Sequence, residues 1–380
     1  MANLFGKQWT KAELLQHVGD IDQIAGAQKV LLDDGNTAGC EAVEFRTGAG
    51  LRFRVLPGRG MDISACDFNG ESLAWMSHTG EVASSYFDPQ GLNWLRSFYG
   101  GLLLTCGMSW AGAPCVDPAE GGPEGYPALL EDGSWSQTGG IGLHGRVSHI
   151  PAKNVSVDSE WIGDDYVFWA QGKVREAQVF KANLLLTRRI TAKLGENKIW
   201  LNDRVENLGY EKQEHMFLYH CNLGFPLLQE GAKYVINSRE TTPRDADAEA
   251  QLDRWSQWPA PTPHQPEMCY YHDVATDENG IATVAFVNRE IAGGRGLGLY
   301  ISYEKATMPY FTQWKMPAQG HYVTGLEPAN CKVQGRKMYR DNGTLVFLEP
   351  GEVVEYNTEF GVLTSQAEID EIEAQIAALK

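Results

Sequence analysis

The feature that most constrains this chain is a rhythm: short runs of alternating apolar and polar residues, broken by glycine turns, from about residue 28 to 363. In the first stretch Val43, Phe45, Leu51, Phe53 and Val55 alternate with polar neighbours, and "DDGN", "TGAG" and "FNG" supply the turns. A period of two is the mark of strands with one face buried. The same texture returns in "VSVDSEWIGDDYVFWAQGKV", in "IATVAFVNREIAGGRGLGLYISYEK" and in "TLVFLEPGEVVEYNTEFGVL". Repetition on this scale predicts an all-β fold, a large antiparallel β-sandwich. The 41 glycines and the 11% aromatic content suit many short strands and tight turns.

Helical patterning is confined to the two ends. "KAELLQHV" at 11–18 predicts one short helix, and "SQAEIDEIEAQIAALK" predicts a second with Ser365 and Glu368 as a capping box. Ile369, Ile372, Ile376 and Leu379 form its apolar stripe, which packs on the sandwich or on a partner subunit, so a homodimer stays open. The expected division is a helical extension over 1–27, the sandwich over 28–363, and the amphipathic helix over 364–380 packed on the same domain. Residues 106–142, rich in Gly, Pro and Ala, and the polar, Pro-rich 238–268 break the rhythm and read as functional loops or lids.

The net charge of −17 argues against nucleic acid and anionic membranes as partners, and favours a neutral small molecule. No stretch approaches the roughly 18 apolar residues of a membrane span, and no secretory leader is visible at the N-terminus. Seven cysteines without a CxxC pattern read as reduced thiols, so a cytoplasmic protein is expected.

Three stretches combine strand context with an ionisable group. "GGIGLHGRVSHIPA" carries His144 beside Gly145, followed by Arg146. In "EHMFLYHCNLGFPLL" alternation puts His215, Phe217 and Tyr219 on one face and Met216, Leu218 and His220 on the other. "VTGLEPANC" holds Glu327 at the end of a strand, where an unpartnered acid is costly or has a raised pKa. A carboxylate and a histidine from different strands can serve as base and acid across a small substrate.

"LHG" at 143–145, "LYHCNLGF" at 218–225 and "GLEPAN" at 325–330 follow the order and rough spacing seen in aldose 1-epimerases. The chain resembles that galactose mutarotase-like superfamily, in a divergent branch marked by "RVLPGRGMDISACDFNGESLAWMS". The resemblance implies a β-supersandwich with a sugar cleft and no cofactor. It implies Glu327 as general base toward the anomeric hydroxyl, His220 as general acid toward the ring oxygen, and His144 as a hydrogen-bonding catalytic partner. The chain departs from the family where Arg146 replaces the second glycine of "LHGG" and where the early Asn-Arg pair is missing; Arg59 is the candidate replacement.

Further substrate-binding candidates are Arg146, Gln313, Trp314, Glu267 and His272. His264, Glu267 and His272 are also the candidates for a divalent metal, but their spacing fits no fixed zinc motif, so no metal is expected. Two alternatives to anomer exchange stay open. One is a metal-assisted isomerase, lyase or hydrolase acting on an oxidised or acidic sugar. The other is a sugar-binding module without turnover.

Overall fold

Alternation becomes architecture in three large antiparallel sheets. A computed structural model describes residues 1–117, 133–134 and 140–380. Much of the irregular 106–142 stretch therefore lies outside the described residues. The first sheet runs in sequence order through Gly26–Leu32, Cys40–Arg46, Leu51–Leu56, Asp62–Phe68 and Glu71–Ser72. Its register sets Phe45 opposite Phe53 and Val43 opposite Val55, so the alternating residues share one buried face. The two phenyl rings stack at 4.4 Å. The second sheet has eight strands, among them Asn183–Lys193, Lys198–Asn207 and Val353–Leu363.

The third sheet carries the candidate site. Its strands are β1 (Leu104–Met108), β2 (Met216–Leu223), β3 (Ser238–Pro243), β4 (Met268–Val274), β5 (Tyr310–Met316) and β6 (Val323–Ala329), paired in the order β3-β4-β5-β6-β2-β1. β2 and β6 are buried along their whole length. Phe217 and Tyr219 of β2 enter the main core with Phe45, Phe168, Phe286 and Tyr356, whereas Met216 and Leu218 belong to a second cluster that shares Trp94 and Phe98 with the cleft lining. The two faces read from alternation are the two faces observed.

A polar network ties the three sheets together. The guanidinium of Arg188 donates to Asp62 Oδ1 at 2.6 Å, to Asp203 Oδ1 and Oδ2 at 2.8 and 2.6 Å, and to Thr105 Oγ1 at 2.8 Å. Thr105 donates to Asp62 from both its amide and its hydroxyl, and Tyr219 donates its hydroxyl to Asp203 at 2.6 Å. Arg188, Asp62 and Thr105 are inaccessible to solvent, and Asp203 is nearly so.

The ends differ from expectation in length. The first helix covers only Lys11–Leu14, capped by Thr10 and Glu13, because Gln16 and His17 bond three residues back rather than four. The last helix spans Gln366–Ala377 with Ser365 as N-cap, and Ile369, Ile372 and Ile376 pack against Ala285, Val287 and Leu363 of the second sheet. Within 238–268, where a loop was expected, β3 forms an edge strand. Its polar residues face solvent and Pro243 stands at its end, a position where a missing N–H costs no ladder bond.

Candidate active site

Register decides which side chains share the cleft. Gly325 lies opposite Trp314 on β5 and opposite Asn222 on β2, so Glu327 and His220, each two residues along, point from the same face as Trp314. They form the floor of a cavity of about 600 Å³ lined also by His144, Glu267, Arg244 and the rings of Trp75, Trp94 and Phe98. The neighbouring residue Gly325 makes room for the acid: a β-carbon there would lie 2.3 Å from Glu327 Oε1 and 3.1 Å from Trp314 Cβ.

Glu327 is 1% exposed and His220 6%. His220 Nε2 lies 3.3 Å from Glu327 Oε1, close enough for an ion pair, yet Glu327 Oε1 and His220 Nδ1 have no hydrogen-bond partner among the described residues. Burial pushes the Glu327 carboxyl well above the usual carboxylate range; the charge of Glu267 adds to this and Arg244 opposes it. Burial lowers the His220 imidazole to about 4. Both groups are driven toward their neutral forms, so the one proton of the resting pair sits on the carboxyl.

His144 is held from below. Its backbone φ of 56° lies in the left-handed region, and its amide and carbonyl bond to Gly112 and Gly107. Gly145 follows with φ 76°, and a β-carbon there would meet Trp110 O at 2.4 Å. The Gly112 amide donates to His144 Nδ1 at 3.4 Å, which leaves the proton of a neutral ring on Nε2. Burial, with some help from His220, lowers its pKa to about 3. The His144 and His220 rings meet edge to face at 5.7 Å. His144 is thus built as a neutral donor.

Beside the pair, Glu267 accepts from Trp314 Nε1 at 2.8 Å and from Arg244 Nη2 at 2.9 Å. Arg244 also donates to Asp245 at 2.8 Å, so two carboxylates match its charge. Arg244 carries no sequence signal, because it sits in the polar 238–268 stretch without a motif. Trp94 and Phe98, on the 3-10 turn Asn93–Ser97 and its cap, have none either.

Four candidates lie elsewhere. Gln313 and His272 point from the opposite face of the sheet: Gln313 lies next to Trp314 in the strand, and the pleat separates neighbours. They bond each other at 2.9 Å, and Gln313 also donates to Trp255 O. Lys315, on that same face, donates to the carbonyls of Arg254 and Gln257 and so pins the turn beneath. Arg59 is wholly buried and donates to the carbonyls of Ser148, Val82 and Ser97, so it braces loops rather than the cleft. Arg146 stacks over Trp110 at 4.7 Å beside a separate small pocket. The metal candidates do not converge, since His264 is exposed and His272 is spent on Gln313 and Thr241. Among the described residues no group of three or more His, Cys, Asp or Glu is placed to hold a metal ion.

The three sheets and their cleft define the class: an aldose 1-epimerase or galactose mutarotase-like fold. A Klebsiella pneumoniae protein provisionally named an aldose 1-epimerase superposes with a TM-score of 0.82 at 24% identity, covering 98% of this chain and 95% of that one. A galactose 1-epimerase from Lactobacillus acidophilus gives 0.55 at 13% identity over 90% and 100%. A galactose mutarotase-like protein from Clostridium acetobutylicum gives 0.54 at 12% over 90% and 99%. At these identities the likeness is one of fold. Residues 37–362 match the family model "Domain of unknown function (DUF4432)", and the chain belongs to that family. No curated protein matches the sequence. No helix among the described residues is long and apolar enough to cross a membrane.

Proposed function

We propose that the protein is an isomerase of the aldose 1-epimerase type, exchanging the anomers of a reducing sugar. The observation that carries this reading is the Glu327–His220 pair, two ionisable groups 3.3 Å apart on an almost dry cavity floor, each with an unpartnered atom. A carboxyl with a raised pKa is a stronger base once ionised, and an imidazolium with a lowered pKa is a stronger acid. A sugar hydroxyl entering between them supplies the missing polar partners, which favours the ion-pair form of the same single proton.

In that form Glu327 removes the proton of the anomeric hydroxyl while His220 protonates the ring oxygen. The C1–O5 bond breaks, C1=O1 forms, rotation about C1–C2 exposes the other face, and the steps reverse. The neutral His144 donates from Nε2 to oxygen as charge develops on it. Acidic sugars fit less well, because Arg244, the arginine in the cavity lining, already faces Asp245 and Glu267.

The test is NMR saturation transfer between anomeric protons across a panel of reducing sugars. Enzyme-dependent exchange for at least one sugar is expected. Sugar binding by calorimetry with no exchange on any of them would leave a binding module instead.

A further inference from the structure

Resting on that reading, we infer that Thr312 is a positioning residue for the base: when the Glu327 carboxyl ionises, the Thr312 hydroxyl turns onto it and donates, holding the carboxylate for the sugar. The register of the third sheet carries the point. Thr312 of β5 lies directly opposite Glu327 of β6 on one side and Tyr271 of β4 on the other, and His220 of β2 stands beyond Glu327. Side chains directly opposite in an antiparallel pair share a face, with β-carbons roughly 4.5–5.5 Å apart. Four strands therefore place one polar side chain each in a single row. All four are buried, and Tyr271 Oη, Thr312 Oγ1, Glu327 Oε1 and His220 Nδ1 have no hydrogen-bond partner among the described residues.

An ionised carboxylate accepts hydrogen bonds through both oxygens, and in a dry site it needs them. The neighbours of Glu327 leave Thr312 to supply one. Gly325 and Ala329, two residues to either side on β6, carry no side-chain donor, and Trp314 gives its N–H to Glu267. His220 is the partner acid. Thr312 is inaccessible to solvent, so its hydroxyl reaches the carboxylate without entering the sugar's space. One step about χ1 exchanges its hydroxyl and methyl. Of the charged groups near Glu327, Glu267 works against its ionisation and Arg244 favours it, while burial keeps His144 neutral. Cys106 of β1, Cys221 of β2, Cys269 and Tyr271 of β4, and Cys331 just past β6 feel the same carboxylate, and burial holds them all protonated.

The pH profile of anomer exchange tests the inference. Removing a hydrogen bond to the charged form raises the pKa of the carboxyl. That carboxyl carries the one proton of the resting pair, so loss of this proton is the basic limb of kcat/KM. Thr312→Val, close in shape, is expected to move the limb up by about one to two pH units. It should also lower kcat at neutral pH roughly tenfold or more, with KM unchanged because Thr312 touches no sugar. Thr312→Ser, which keeps a hydroxyl, should restore most of both. A lowered kcat with the limb unmoved is what a packing defect gives, and it overturns the inference while leaving the function intact. If no sugar is turned over, the functional reading fails, and infrared titration of the protonated-carboxyl band that Glu327→Gln removes decides this one. An upward shift in Thr312→Val, reversed in Thr312→Ser, then supports it, and an unmoved titration overturns it.

Discussion

Adjacent residues of β2 face two opposite kinds of burial. Tyr219 points into the Arg188 network, where each guanidinium nitrogen and both oxygens of Asp62 and Asp203 have partners. His220 points into the cleft, where one of its nitrogens and a carboxylate oxygen of Glu327 have none among the described residues. Both sites hide ionisable groups from water at similar depth. The difference teaches that satisfied polar burial fixes a fold in place, whereas unsatisfied burial beside a cavity stores the affinity and the shifted proton that a reaction uses.

The comparison breaks most severely at Arg188. Arg188→Leu leaves Asp62 and Asp203 buried without their shared cation, and should cost about 3–5 kcal/mol in urea unfolding. Glu327→Gln should do the reverse. Anomer exchange is expected to fall roughly 10²–10⁴-fold, while the fold is unharmed or gains stability at neutral pH. The reason is a sign: a carboxyl raised by burial is protonated when folded, and an unfolded one ionises near pH 4.5, so its contribution erodes as pH rises above that value. A stability loss at pH 7 comparable to that of Arg188→Leu would remove the distinction between the two sites.

A subtler change is Gly325→Ala. Its methyl displaces the Glu327 carboxylate, so activity should drop by about tenfold or more for a stability cost of roughly 1–3 kcal/mol. The most gradual expected effect is spread over several residues. His144, His215, His220 and His272 all have imidazoles lowered by burial, to about 3, 4, 4 and 4. Each is neutral when folded but takes up a proton near pH 6.5 when unfolded. The contribution of these four histidines should therefore be full above about pH 6.5 and decline toward pH 4, with about 1.4 kcal/mol per pH unit as the ceiling for each, as thermal melts across that range would show.

Period-two alternation carried the sandwich and the two faces of β2, because burial on alternating sides is written directly into residue order. The same rule separates Gln313 from Trp314, so alternation along β5 is by itself enough to turn Gln313 away from the cleft. Arg59 misled for a different reason: an arginine in a glycine turn reads as exposed, but three backbone carbonyls here compensate its burial. Arg244 and the ring of Trp94 enter the cleft from irregular segments, where no periodicity says which way a side chain points. The resemblance, not the patterning, supplied the roles of Glu327, His220 and His144.

The Arg188 network also bears on time. Its members stand at 62, 105, 188, 203 and 219, on strands of three different sheets, so the last contacts cannot close before those sheets have docked. Interactions that form after the rate-limiting barrier hold back escape from the native state rather than speed arrival. In stopped-flow denaturant jumps, Arg188→Leu should therefore shorten the native lifetime while leaving the refolding rate nearly unchanged, making this arginine a latch on the half-life of the folded protein.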